Sequence, residues 1–230
     1  MSISRWERIS AQFFETDANL PVGERLCALA CMMLNTQWAS VGLLSGNHFI
    51  PVAATDDIAQ ILSDQQFTLG DGPVFEATRA DAPILVPDLG SDAAESKWPA
   101  FVPVATGLGV RAAFAFPLRV GAAHLGVMAA YHHSPLIPTP DAVADAMVLA
   151  TIAADAMIAV QAGDGHLSEV LASNVSTGSE VHQAAGMVSE QLGISIVEAL
   201  VRLRSYAYVT GRPLSAIARN VTQGHLFLDP

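Results

Sequence analysis

The chain contains 230 residues, of which 51% are hydrophobic and only 14% are charged. This balance predicts a packed globular protein and excludes a disordered chain, because disorder requires few apolar residues and high charge. The two cysteines exclude a disulfide scaffold and favour a reducing, cytoplasmic environment. No apolar run approaches the roughly 20 residues of a membrane helix, and residues 1–14 lack the apolar core of a secretory signal.

The charge is distributed unevenly along the chain. The net charge is −11, which argues against unspecific binding of nucleic acid by the whole surface. Residues 195–223, in contrast, contain four arginines and only one acidic residue, Glu198. A confined cationic site near the C-terminus is therefore expected in an otherwise acidic protein.

The first 162 residues combine helix and strand patterns. Gly46-Asn47 lies between two apolar runs and predicts a β-hairpin, and Gly121 separates a second pair of strands. The predicted strands cover residues 38–44, 48–54, 83–88, 110–120 and 124–132. The predicted helices cover residues 7–16, 23–34, 74–80 and 141–161. The last of these helices is apolar on nearly every face, so we expect a second subunit to cover part of it in a homodimer.

The rest of the chain has helical periodicity. Alternating spacings of four and three residues predict a heptad seam, formed by Leu167, Leu171, Asn174, Gly178, Val181, Ala185, Val188 and Leu192. Thr177 and Glu180 also fit a capping box, so one long helix and two collinear helices both remain open. Two more helices are predicted over residues 196–209 and 214–221, with Ser195 and Pro213 at their starts.

Five motifs near the C-terminus resemble the ANTAR family of RNA-binding antiterminator modules. They are VHQAAGMV at 181–188, QLGI at 191–194, EAL at 198–200, LRSYA at 203–207 and RPLSAIA at 212–218. This chain departs from the family pattern at Ala185, where the family usually has a lysine. The departure concerns one cationic contact. The resemblance implies a three-helix bundle that binds paired stem-loops in a leader transcript and prevents terminator formation.

The N-terminal region resembles the GAF domains that precede ANTAR modules in actinobacteria. The matching motifs are LGDGP at 69–73 with EA at 76–77, PILVPDL at 83–89, WP at 98–99, GVR at 109–111 and FPL at 116–118. The two resemblances imply an α+β fold with a GAF-like antiparallel sheet flanked by helices, followed by a helical linker and the ANTAR bundle. The implied parts are a sensor over 1–162, a linker over 163–180 and an RNA-binding domain over 181–230.

The second C-terminal helix carries candidate RNA contacts on the side away from its core. With Leu203 at the centre of the core face, Arg204 and Tyr208 fall on the far side, one turn apart. Arginine binds phosphate and aromatic rings stack on unpaired bases, although packing against another helix or across a dimer is the alternative. The candidate RNA-binding residues are Ala184, Gly186, Arg202, Arg204, Tyr206, Tyr208, Arg212 and Arg219.

A small-molecule effector would, by the GAF resemblance, bind between the sheet and the segment 56–98. The candidate effector-pocket residues are Trp38, Phe67, Phe75, Trp98, Phe101, Phe114 and Phe116, and core packing is the alternative for each. Nothing in the sequence indicates a catalytic triad, a carboxylate pair, a metal or a cofactor. Cys27 with Cys31, and His132 with His133, are interpreted as structural residues.

Two other functions remain open at this point. Residues 214–219 superficially resemble part of a helix-turn-helix, which would make the protein a DNA-binding transcriptional regulator. Alternatively, the patch around Val201 and Tyr208 would bind another protein in a dimeric interaction module.

Overall fold

The computed structural model describes residues 4–16, 20–45, 48–121, 123–163, 180–181 and 183–228. The predicted linker falls almost entirely outside this part of the chain. The seam positions Leu167, Leu171, Asn174 and Gly178 are likewise not described.

Five antiparallel strands form one sheet. They are β1 (Trp38–Ser45), β2 (His48–Ala54), β3 (Ile84–Val86), β4 (Ala112–Val120) and β5 (Ala123–His132). Their order is β2-β1-β5-β4-β3, so β5 lies at the centre and pairs with both β1 and β4. Both predicted hairpins, β1–β2 and β4–β5, are present. The predicted α+β fold with an antiparallel sheet flanked by helices is confirmed.

Helices cover both faces of the sheet. One face carries α1 (Arg5–Glu15), α2 (Val22–Leu34) and α7 (Pro140–Gly163). The other carries α3 (Asp57–Leu69), α4 (Pro73–Ala80), α5 (Asp92–Lys97) and α6 (Phe101–Gly107). The sequence did not predict α3, which begins where the Asp56 carboxylate accepts a hydrogen bond from the backbone N–H of Ala59. No helix within the described ranges combines the length and the hydropathy needed to cross a membrane.

Ion pairs orient α1 on α7. The Arg8 guanidinium lies 2.7 Å from a carboxylate oxygen of Asp145, and Arg5 contacts both Asp145 and Asp141 at 2.8 Å and 2.6 Å. Such exposed pairs contribute about 1 kcal/mol or less each. The fully buried Ile9 and Phe13 therefore supply most of the stabilisation of this contact.

Alternation along β4 separates two hydrophobic cores. Phe114 and Phe116 point towards α1, α2 and α7, whereas Ala113 and Ala115 point towards α3–α6. Along β5 the same alternation sends Tyr131 to the α3–α6 side. The large side chains of β4 thus fill one core, and small side chains leave room for the helices on the other face.

Three helices follow the part of the chain that is not described. They are α8, with helical residues at 180–181 and 183–192, α9 (Ile196–Thr210) and α10 (Leu214–Thr222). The Ser195 hydroxyl accepts a hydrogen bond from the backbone N–H of Glu198, and Gly211 ends α9 with a φ of 62°. Ala199, Leu203 and Ala207 are buried, as a core face centred on Leu203 requires, while Ile196 is 53% exposed. Their hydrophobic cluster is continuous with that of α3–α6.

Replacing Phe114 by alanine tests the packing of the core that contains α2 and α7. The side chain is fully buried, so we expect the free energy of unfolding to fall by about 3–5 kcal/mol in chemical denaturation. Phe14 is 70% exposed and serves as the matched control, with an expected loss below about 1 kcal/mol for Phe14→Ala. Equal decreases in the free energy of unfolding in the two variants would contradict the placement of the Phe114 side chain in this core.

Candidate functional site

The space between the sheet and α3–α6 contains most of the predicted effector-pocket residues. Phe67, Trp98 and Phe101 are buried there, and Trp38 and Phe75 pack against them while partly exposed. Phe114 and Phe116 instead lie in the core on the opposite face of the sheet. This corrects the prediction that all seven line one pocket, and the physical reason is the two-residue period of β4.

A buried polar network occupies the same space. The Gln66 amide donates a hydrogen bond to the hydroxyl of Tyr131 at 2.9 Å, and its carbonyl oxygen accepts one from the backbone N–H of Val74 at 3.0 Å. Gln66 and Tyr131 are 0% and 1% exposed. Burial raises the pKa of Tyr131 to about 12. Sequence reasoning missed Gln66 because the helix that carries it was not predicted.

Gln66 also shapes the turn between α3 and α4. Gly70 ends α3 with a φ of +64° and donates its N–H to the backbone carbonyl of Gln66 at 2.8 Å. Gly72 has a φ of +120°, and a Cβ there would lie 2.6 Å from the Gln66 side-chain oxygen. The LGDGP motif is therefore a turn built around Gln66, in which only glycine fits at position 72.

The cysteines and the paired histidines have structural surroundings. Burial raises the pKa of both Cys27 and Cys31, so their thiols stay protonated at neutral pH and are poor metal ligands. Nδ1 of His132 lies 2.8 Å from the Ser134 carbonyl oxygen, and Nδ1 of His133 lies 3.0 Å from the Gln37 side-chain oxygen. Within the described ranges, no group of three or more His, Cys, Asp or Glu side chains could hold a metal ion.

The candidate RNA-binding residues separate into buried and accessible positions. Ala184 is fully buried with Ala185, whereas a Cβ at Gly186 would meet no atom within 4 Å. Tyr208 is 53% exposed and Arg212 is exposed. Nε of Arg219 lies 3.6 Å from a carboxylate oxygen of Glu180, which orients it towards α8.

Arg202 and Tyr206 line one open groove, whereas Arg204 faces another direction. The remaining lining of the groove is Ser205, Val209, Phe227 and Leu228. Arg204 is half-buried against the turn at Gly70, between α9 and the α3–α6 layer. The sequence placed Arg204 beside Tyr208 on a free face, but it could not show that α3 covers the arginine.

Comparisons with known proteins identify the first part of the chain. The model of the GAF domain family matches residues 22–159. No curated protein matches the chain significantly.

Several solved structures share this fold. The GAF domain of an Acinetobacter phosphoenolpyruvate-protein phosphotransferase has a TM-score of 0.53 and 12% identity, covering 71% of this chain and 98% of that one. A domain from a Sinorhizobium meliloti protein described as a two-component sensor histidine kinase has a TM-score of 0.52 and 16% identity, covering 67% and 99%. The GAF domain of the corresponding phosphotransferase from Coxiella burnetii has a TM-score of 0.51 and 14% identity, covering 69% and 93%. At these identities the likeness shows the fold alone.

Alkaline titration tests the buried network. The pKa of Tyr131 is about 12 in the folded protein and near 10 when exposed, so only the unfolded state ionises between those values. The folded state then holds more protons, and the free energy of unfolding should decrease as the pH rises from about 10 to about 12.

The variant Tyr131→Phe should have a smaller alkaline decrease, and at neutral pH it should lose about 1–3 kcal/mol because Gln66 is left without its acceptor. Denaturant unfolding at several pH values measures both effects. Tyr208→Phe is the control, since its ring is 53% exposed. An unchanged alkaline slope in Tyr131→Phe would contradict the assignment.

Proposed function

The chain belongs to the GAF domain family, and we propose that it is a signal-responsive antiterminator of transcription whose GAF domain controls an RNA-binding output formed by α8–α10. The partner is a pair of stem-loops in a leader transcript. The output is of the ANTAR type, on the motifs at residues 181–218. The GAF domain would sense a small-molecule effector in the space between α3–α6 and the sheet.

The observation that carries the proposal is a cationic and aromatic surface on an acidic protein. Four arginines lie between residues 195 and 223 against the single acid Glu198, while the whole chain has a net charge of −11. Glu198 is exposed at the first turn of α9, where a carboxylate is stabilised by the helix dipole. Its position therefore has a structural reason, and the four arginines still outnumber it within residues 195–223.

The groove along α9 combines the two contacts that folded RNA requires. Arg202 supplies a planar cation and Tyr206 an aromatic ring, and Phe227 also lines the groove. Unpaired loop bases stack on aromatic rings, and guanidinium groups bind phosphate oxygens in a bidentate geometry. Tyr208 and Val209, exposed at 53% and 82%, extend this surface along the helix.

A homodimer would explain why the RNA partner is a pair of stem-loops. Met147 and Ile158 are 49% and 41% exposed on α7. They are eleven residues apart, so they share one face of the helix and would be buried against a second copy of it. Such a dimer would present two output modules side by side.

Binding of a fluorescently labelled two-stem-loop RNA, followed by anisotropy over a salt series, tests this function. We expect salt-sensitive binding that duplex DNA does not displace, because cationic contacts to phosphate release counterions. Arg202→Ala should weaken binding about tenfold or more, since it removes charge-assisted hydrogen bonds from the groove. Arg79→Ala is the charge-matched control on the exposed side of α4 and should bind RNA like the wild type.

The remaining outcomes distinguish the other functions. Displacement of the RNA by duplex DNA would favour a DNA-binding regulator. A protein partner that stays bound after nuclease treatment, together with no RNA binding, would favour an interaction module. Equal losses in Arg202→Ala and Arg79→Ala would contradict a specific role for Arg202.

A further inference from the structure

The turn after α3 contacts Arg204 of α9, one of the candidate RNA-binding residues. A Cβ placed on Gly70 would lie 2.7 Å from Nη1 and 2.8 Å from Cζ of Arg204. The guanidinium therefore occupies the space that any other residue at position 70 would fill. Helices α3 and α9 also pack against each other, and one hydrophobic cluster runs through both.

In this position, one nitrogen atom of the Arg204 guanidinium lacks a hydrogen-bond partner among the described residues. This atom, Nε, is buried. None of the ion pairs found among these residues includes Arg204. Burial lowers the pKa of the guanidinium, although arginine stays charged at neutral pH. The guanidinium lies at the C-terminal end of α3, where the helix dipole places partial negative charge.

Hydrogen bonds connect the turn that receives Arg204 to the sensor interior. The backbone carbonyl of Gln66 accepts the N–H of Gly70, its side-chain oxygen accepts the N–H of Val74, and its side-chain amide donates to Tyr131 in the central strand. A displacement of Gln66 between α3 and the sheet would therefore move the turn directly. The contact with Arg204 is linked through two hydrogen bonds to the interior of the GAF domain.

We infer that the turn at residues 70–72 is an inhibitory dock for Arg204, which holds α9 against the GAF domain and keeps this arginine from RNA until the turn moves. The inference rests on the proposed function and adds its regulation. It explains why an arginine with an unpaired buried nitrogen lies at a domain interface. RNA phosphate offers the bidentate, charge-assisted hydrogen bonds that the dock does not provide.

The variant Gly70→Asn tests the dock in the full chain. Asparagine tolerates a positive φ better than most residues, and the chain already has Asn35 at a φ of 53°. The new Cβ displaces the end of a flexible side chain and leaves the backbone in place, so the protein should fold. We expect RNA affinity to rise by about 5- to 150-fold, the usual range of coupling between two sites.

Gly121→Asn is the matched control. Gly121 has a φ of +59°, so the substitution has the same backbone cost, but its Cβ would meet no atom within 4 Å. Amide hydrogen exchange over α9 provides a second measurement that does not require RNA. Exchange should become faster in Gly70→Asn because α9 loses its support from α3, and it should stay unchanged in Gly121→Asn.

The two measurements separate the dock from the RNA-binding function. Unchanged RNA affinity and unchanged α9 exchange in Gly70→Asn would overturn the dock while leaving the proposed function intact. No RNA binding by either glycine variant or the wild type would overturn the proposed function. Faster α9 exchange confined to Gly70→Asn would then still support a dock for the output helix. Equal gains in affinity in both glycine variants would overturn the dock, because they would reflect a general loss of stability.

Discussion

The hydrogen bonds of Gln66 are the interaction on which the arrangement of this protein depends. One side chain joins α3, the start of α4 and the central strand β5 in a space with almost no access to water. A buried amide is costly when unpaired, so the three elements are stable only in the geometry that pairs it. This geometry fixes the turn at Gly70 and Gly72. The same turn is the part of the GAF domain that meets α9.

The two faces of the sheet consequently have different roles. The face with Phe114 and Phe116 is an ordinary core, in which large apolar side chains pack between the sheet and α2 and α7. The face with Ala113 and Ala115 has small side chains on the sheet and receives Tyr131, Gln66 and the aromatic residues of the helices. A signal that reaches the second face would act on a polar network, which has discrete hydrogen-bonded states. The core of the first face is held by dispersion contacts, which fall off gradually with distance.

The predicted elements agree with the structure where local patterns are strong. Both hairpins follow from turn residues between apolar runs, and α9 and α10 follow from Ser195, Gly211 and Pro213 at their ends. The helix α3 was missed although Asp56 caps it, because its polar residues gave no clear apolar stripe. Five of the seven predicted pocket residues lie on the expected side of the sheet. The other two were misplaced because aromatic character was considered without the alternation of the strand.

The sequence by itself determined the positions of the two hairpins and of the capped helices near the C-terminus, since these depend on neighbours along the chain. It also showed that residues 195–223, with four arginines and one acidic residue, are a basic stretch in an acidic protein. Only the tertiary structure decided that Gln66 pairs with Tyr131, 65 residues away, and that Arg204 lies over Gly70. The physical reason is that burial depends on which surfaces meet, and helical periodicity gives the direction of a side chain without naming what covers it.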